Sequence, residues 1–389
     1  MYKKQLIIFF SYIQCVILRI SYALCFFVKI KINNGCVVAG AETAGMLKNI
    51  SLVLPNSTSV NFSPNKFYGF EYDYQLYPKK GIKKVVNLFY APVVLGYLMR
   101  KNGSFIYLGD GGFLNLYLDG RLSEFKFIKQ KNKKITCYFL GSEIRSYSLL
   151  DNFGVSKDID TLTTYERYSS VGIDSLDNEN KRKRLAKSAE KYADDIFNAP
   201  VDQMTYIERD VHEPLYFYPD SGFYKANEKF DNLNVINILH SPTSPIVKGT
   251  QLVHAAIKKL KMEGYIFNYL ELKNSSNTQV LAALKESHIV LNQFYAFVPG
   301  VFGIEALAHN CAMLTSADNK IEPSLGPDAN EAWMVTPYWQ IYDNLKYLLD
   351  NPDEIKVYAD RGFAWAFDNC RASVNGQSPK VITVLMITL

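Results

Sequence analysis

The chain has 389 residues, 48% hydrophobic and 21% charged, with 43 basic and 38 acidic side chains for a net charge of +5. That length accommodates two domains of ordinary size, and the composition excludes a disordered chain. A mild basic excess with no Arg-rich arm argues against nucleic acid and favours phosphorylated ligands or an anionic membrane surface.

Taken in order, residues 5–28 (QLIIFFSYIQCVILRISYALCFFV) are apolar enough to raise a membrane span. Gln14 and Arg19 interrupt the run, and an arginine at mid-span costs about 2.5–3.5 kcal/mol on insertion scales. The preferred reading is a buried strand, Leu6 to Phe10, and then a buried helix from Tyr12 to Lys29, with membrane contact as the alternative. Residues 36–54 read as a short helical stretch and then a strand ending at Pro55, and 56–83 as a polar loop. A helical pattern at 84–100 leads to the apolar strand FIYLG (105–109), the turn GDGGF (109–113) and the strand KKITCYFLG (133–141). Ser142, Glu143, Ile144 and Arg145 close that strand. Residues 155–195 are charged and helix-forming, and the basic run within them reads as a solvated face. A strand and turn follow at 195–207.

Pro214, Pro219, Asp220 and Gly222 give 208–231 the composition of a linker, dividing the chain into domains at 1–218 and 219–389. Beyond it strands and helices alternate: strand 234–241, helix 250–264, strand 265–273, helix 278–287 and strand 288–293. A loop with Pro299 and Gly300, a helix over Phe302–Asn310 and a strand over Cys311–Thr315 continue the pattern. A strand at 332–336 and helices at 340–350 and 352–370 complete it, the last helices free to pack back on the first domain. Such alternation predicts an α/β chain of two doubly wound, Rossmann-like domains with parallel sheets, facing across a cleft. Ligands of such sheets lie beyond the C-terminal strand ends. The apolar tail VITVLMITL (381–389) reads as a final strand or an incomplete terminus.

Three stretches of the second domain occupy strand ends. HSPTSPIVKGT (240–250) places Lys248 and Gly249 at a helix start, where a fixed positive charge beside free amides suits a diphosphate. LKNSSNTQ (272–279) is small and polar, able to offer backbone groups to a base. VFGIEALA (301–308) buries one carboxylate, Glu305, in the first turns of an apolar helix. The bland alternatives are an exposed loop lysine for Lys248 and a solvated turn for 272–279. On the first domain, Asp110 with Gly111 and Glu143 with Arg145 stand at strand ends. Asp110 and Glu143 are candidates to orient a hydroxyl, and a local ion pair is the alternative for Glu143 and Arg145. His240 either reaches the ligand or caps its strand. The six cysteines show no CxxC pair, and no His stands at metal-ligand spacing, so buried thiols in a reducing compartment are expected.

KGT at a helix start, with FGIEALA running into an apolar strand, resembles the donor half of glycosyltransferase family 4. GSEIR (141–145) is similar to the GSDIR stretch of a subset of that family. The resemblance covers 234–316 well, 105–145 in part and the first 60 residues poorly. It implies the GT-B fold and transfer of a sugar from a nucleotide-sugar to an acceptor, with retention of anomeric configuration. The mild basicity and apolar N-terminus suit a glycan or lipid-linked acceptor of surface polysaccharide synthesis, with the protein in the cytoplasm or at the inner membrane face, and the lack of a DxD-like pair at a strand end agrees with no metal and no cofactor. By this resemblance Glu305 holds the ribose, Lys248 contacts the diphosphate, and Gly300, Val301, Phe302 and Gly303 turn amides toward the phosphates. Two positions depart. Phe297 stands where the family has a second glutamate touching the donor sugar, and Thr243 where it has an arginine. A Gly-rich turn after the first strand is also missing from FFSYIQ. These departures support an alternative, a non-catalytic sugar-nucleotide or partner-binding module. An epimerase of the same fold would need more acids and histidines in its cleft.

Overall fold

The computed structural model describes residues 2–29, 35–63, 65–76, 82–115, 119–214, 216–225 and 227–372. The first sheet holds β1 (Gly35–Gly40), β2 (Thr58–Asn61), β3 (Tyr74–Gln75), β4 (Asn102–Leu108), β5 (Lys134–Tyr138) and β6 (Asp195–Phe197). Their order is β3-β2-β1-β4-β5-β6, every neighbour parallel. Apolar runs such as CVVA in β1 and FIYL in β4 are buried on both faces, as a helix-covered parallel sheet requires. The covering helices are α1 (Tyr2–Leu24), α2 (Met46–Val53), α3 (Ile82–Lys101), α4 (Leu122–Lys129), α5 (Tyr147–Lys157), α6 (Leu162–Ser169) and α7 (Leu176–Tyr192).

A short strand, β7 (Tyr218–Pro219), leads to a second sheet of β8 (Ile236–His240), β9 (Phe267–Glu271), β10 (Ile289–Leu291), β11 (Ala312–Thr315) and β12 (Met334–Val335). Its order is β12-β11-β10-β8-β9, again all parallel. Helices α8 (Thr250–Met262), α9 (Asn277–Glu286), α10 (Gly300–Ala308), α11 (Ala329–Ala332), α12 (Ile341–Asp350) and α13 (Pro352–Cys370) surround it. After α13, β13 (Arg371–Ala372) pairs with β7, and Ala372 packs among Cys36, Val38 and Phe217 of the first core. The tail at 381–389 lies outside the described residues.

Strand order reverses between β1 and β4 in one sheet and between β8 and β10 in the other. A crevice opens beyond the strand ends at such a reversal, because the loops on either side diverge toward opposite faces. The loops in question are 41–45, 109–112, 241–249 and 292–299.

Three expectations fail in the first domain. Residues 6–10 are not a strand: α1 is one helix, and its outward side chains are exposed rather than buried. The order at 36–54 is also reversed, with strand β1 first and helix α2 second. The loop region at 56–83 contributes two strands, β2 and β3. Helix α1 packs on α3 through Ser11, Gln14, Leu18 and Ser21, a seam at seven-residue period. Pro92 inside α3 has no N–H for the Leu88 carbonyl four residues earlier. Gln14 Nε2 donates to that carbonyl at 2.6 Å and to Asn115 Oδ1 at 2.8 Å, replacing the missing bond from a neighbouring helix. Substituting Gln14→Leu leaves the Leu88 oxygen unsatisfied, and we expect it to lower stability by about 1–3 kcal/mol. Urea denaturation reads this directly, and an unchanged midpoint would refute the role given to Gln14.

Candidate functional site

Two cavities open at the loops after β1, β4 and β8. One, of about 360 Å³, is lined from the second domain by Thr243, Lys248, Asn274, Asn277, Val301, Phe302 and Glu305. From the first domain it takes Glu42, Thr43, Asn65, Phe67 and Tyr68. The other, of about 510 Å³, lies in the first domain and is lined by Asp110, Glu143, Asn178, Lys181 and Arg182. Thr43 belongs to both walls, so a ligand in one cavity meets a ligand in the other at the loop after β1.

Glu305 lies in α10 between Ile304 and Ala306, both in the apolar core, and is itself only 5% exposed. Asn277 Nδ2 donates to its Oε1 at 2.7 Å. Burial pushes the carboxyl up to about 7, against which the Asn277 bond acts. A carboxylate so placed accepts hydrogen bonds from vicinal hydroxyls and gains more from them than an exposed one. Gly300 opens α10 at a φ of 65°, a left-handed conformation open to glycine, and no side chain caps the helix. The Gly300 N–H bonds the Tyr216 oxygen, which leaves the Val301 and Phe302 amides available to an anion. Gly303 is equally constrained, since a Cβ there would lie 2.8 Å from Asn292 Nδ2.

Lys248 precedes α8, whose cap residue Gly249 has a φ of 72°. Its Nζ bonds Gln293 Oε1 beyond β10, across the reversal point. Lys248 keeps some solvent exposure, yet the dense cleft floor lowers its pKa to about 8, with the Asp202 carboxylate opposing the effect. Phe297 is buried, and its N–H donates to Asp202 Oδ1 at 2.8 Å. An acid from the first domain thus holds the backbone of the loop that carries no acid of its own. Thr243 lines the cleft as expected by position.

Other candidates do not face the cavities. His240 is fully buried, with Nδ1 2.7 Å from the Leu291 carbonyl and Nε2 2.9 Å from Thr250 Oγ1, which ties β8 to β10 and α8. Burial lowers its pKa to about 4. Arg145 turns away from Glu143 and pairs with Asp202 at 2.8 Å and Glu166 at 3.1 Å. Gly111 packs on Phe62, where a Cβ would lie 2.7 Å from the ring. Glu143 does reach its cavity. Its Oε1 accepts from the Leu140 N–H at 2.5 Å, and burial raises its pKa.

Glu42 escaped the sequence reading. Its Oε2 accepts from Tyr72 Oη at 2.6 Å and from the Lys48 N–H at 3.1 Å. Its Oε1 is buried, and burial raises its pKa against the Tyr72 hydroxyl and the amides of Lys48, Leu47 and Gly45. The signal was present as AGAETAG (39–45): the glycine-bearing turn sought after the first strand follows β1. Asn277, within the polar loop already singled out, also donates its N–H to the Phe67 carbonyl at 3.2 Å, joining the domains over the cavity.

No family model matches the chain, and no curated protein matches it. Solved structures do. An alpha-glucosyltransferase in complex with UDP and a 13-mer DNA shares 11% identity over 91% of this chain and 99% of its own, with a TM-score of 0.51. TarM shares 12% identity over 77% of this chain and 58% of its own, with a TM-score of 0.50. A putative UDP-N-acetylglucosamine 2-epimerase from Listeria monocytogenes shares 12% identity over 86% and 94%, with a TM-score of 0.46. The architecture is the GT-B fold, two Rossmann-like domains facing across a cleft.

Proposed function

We propose that the protein is a retaining glycosyltransferase that moves a sugar from a nucleotide-sugar to a glycan or lipid-linked acceptor. The observation that carries the proposal is the placement of Glu305, Lys248 and the uncapped start of α10 around one interdomain cavity. In this reading Glu305 accepts from the ribose hydroxyls and the Asn274–Asn277 loop flanks the base. The Val301 and Phe302 amides and Lys248 hold the diphosphate. Cleavage of the glycosyl–phosphate bond builds negative charge on the leaving diphosphate, and preorganised amides with a lysine stabilise it without a metal. The neighbouring alpha-glucosyltransferase is described with UDP, which suits a nucleotide of this class. Glu42 brings an acid into the wall of this cavity from the first domain, where the loop bearing Phe297 brings none. The acceptor enters past Asp110 and Glu143, and Thr43 marks where the two substrates meet. Surface polysaccharide synthesis at the inner membrane face is the setting that fits an acceptor of this kind.

The test is calorimetric titration of the full chain with a panel of UDP-, GDP- and ADP-sugars, followed by assay for transfer or donor hydrolysis. We expect one nucleotide class to bind and its sugar to be released. Absence of binding by every donor would sink the proposal, whereas binding without release would favour a sugar-nucleotide-binding module on the same scaffold.

A further inference from the structure

The outer face of α1 and α3 has the character of a core turned inside out. The seam between the helices carries Ser11, Gln14 and Ser21 beside one leucine, Leu18, while most large apolar side chains of α1 point away from the protein. Leu6, Phe9, Tyr12, Val16, Ile20 and Leu24 recur at three- or four-residue spacing and are each more than half exposed. Val86, Tyr90 and Val93 of α3 extend the patch, and the Phe10 and Phe89 rings, 6.1 Å apart, join the two helices. The approach is close, since a Cβ on Gly96 would lie 2.1 Å from Ser21 Oγ. Small and polar residues at the helix contact, with apolar residues outside, are the pattern of helices solvated by lipid. So is a helix proline whose freed carbonyl is satisfied by a neighbouring helix.

Charge points to the same partner. Neither α1 nor α3 contains one of the 38 acidic residues. Arg19 and Lys29 are exposed on the α1 side, and Arg100 stacks over Tyr22 at 4.1 Å and Phe26 at 5.2 Å, where the apolar stripe ends. Lys131 sits 5.3 Å from the same Tyr22 ring. We infer that the α1–α3 face docks on an anionic lipid bilayer, with α1 lying along the interface and its apolar stripe in the acyl boundary. Arg19, Lys29, Arg100 and Lys131 contact headgroups. Helix α1 is long enough to cross, with 20 apolar-rich residues of which 22% are buried in the best window. Crossing would strip Gln14 from Leu88 and Asn115 and expose the polar seam, so the in-plane position is the one that keeps its hydrogen bonds. A second copy of the chain would bring the same basic rim against itself.

This deepens the membrane setting proposed above and rests on it, but its test needs no turnover, so the two readings fail separately. The full chain is sedimented with vesicles of phosphatidylcholine alone or mixed with phosphatidylglycerol. We expect binding to the mixed vesicles, at least about tenfold weaker binding to the neutral ones, and release by alkaline carbonate. The triple variant Phe9→Glu, Val16→Glu, Ile20→Glu should fold with an unchanged circular dichroism spectrum and lose vesicle binding. Binding indifferent to the triple variant, absence of binding, or retention after carbonate extraction overturns the proposal. So does a lipid-free dimer that the variant dissociates.

Discussion

Replacing Glu305 with Gln should make the protein more stable above neutral pH while removing most of its affinity for a nucleotide-sugar. A carboxyl ordinarily near 4.5 and held at about 7 is ionised in the folded state only at a cost of about 3 kcal/mol. Below pH 4.5 folded and unfolded chains are both protonated there, and the penalty is absent. As pH rises toward 7 the unfolded chain releases this proton and the folded one retains it, so stability falls and then levels off. Gln accepts the same Asn277 bond without ionising. The variant should therefore match the wild type in acid and exceed it by about 1–3 kcal/mol at mildly alkaline pH. Donor binding should move the other way. Two ribose hydroxyls bonded to a buried carboxylate contribute about 3 kcal/mol together, so the variant should bind donor about 100-fold more weakly. Melting curves across pH check the first half and calorimetric titration the second. A Gln variant that is less stable at every pH would show that the carboxylate has a structural counter-charge in the folded chain.

The second domain was legible because its strands, helices and loops alternate with short connections. INILH, YLE, IVL and AMLT are each flanked by a helix pattern of opposite period, and the structure keeps all four as strands within a residue or two. Lys248 and Glu305 were readable for the same reason: one immediately precedes, and the other lies inside, a helix that follows a strand, so the fold fixes where each stands. The first domain misled through α1. Its apolar content is that of a buried element, and periodicity alone does not reveal which face is covered. Taking residues 6–10 as the first strand then displaced the next element, so the glycine turn of AGAETAG was read inside a helix and Glu42 was passed over. Arg145 and His240 failed for a different reason. His240 ends β8, where successive residues alternate between cleft and interior and a shift of one position decides which, while Arg145 lies in the turn between β5 and α5, where no alternation applies. Their partners, Asp202 and Leu291, lie 57 and 51 residues away in sequence, beyond the reach of any local pattern.

Lys248→Met should lower the rate of sugar transfer by about 100- to 1,000-fold, the loss expected when a preorganised donor is removed from a developing charge in a shielded site. The variant should also reshape the pH dependence of donor binding. Lysine is held here at about 8 against an ordinary 10.5, so the unliganded protein loses this charge as pH rises through 8. A bound diphosphate supplies the counter-charge, restores the proton and ties affinity to it, so binding weakens above about pH 8 and takes up a proton as it does. Glu305 acts on the opposite limb, because it must surrender its proton near 7 to accept from the ribose. Donor affinity should then pass through a maximum between about 7 and about 8. Each substitution removes one limb: Met at 248 abolishes the alkaline fall, and Gln at 305 the acid rise. Titrations in buffers of different ionisation enthalpy separate proton uptake from release and assign each limb to its residue. Loss of both limbs in either single variant would mean that the two groups titrate as one coupled pair within the cavity.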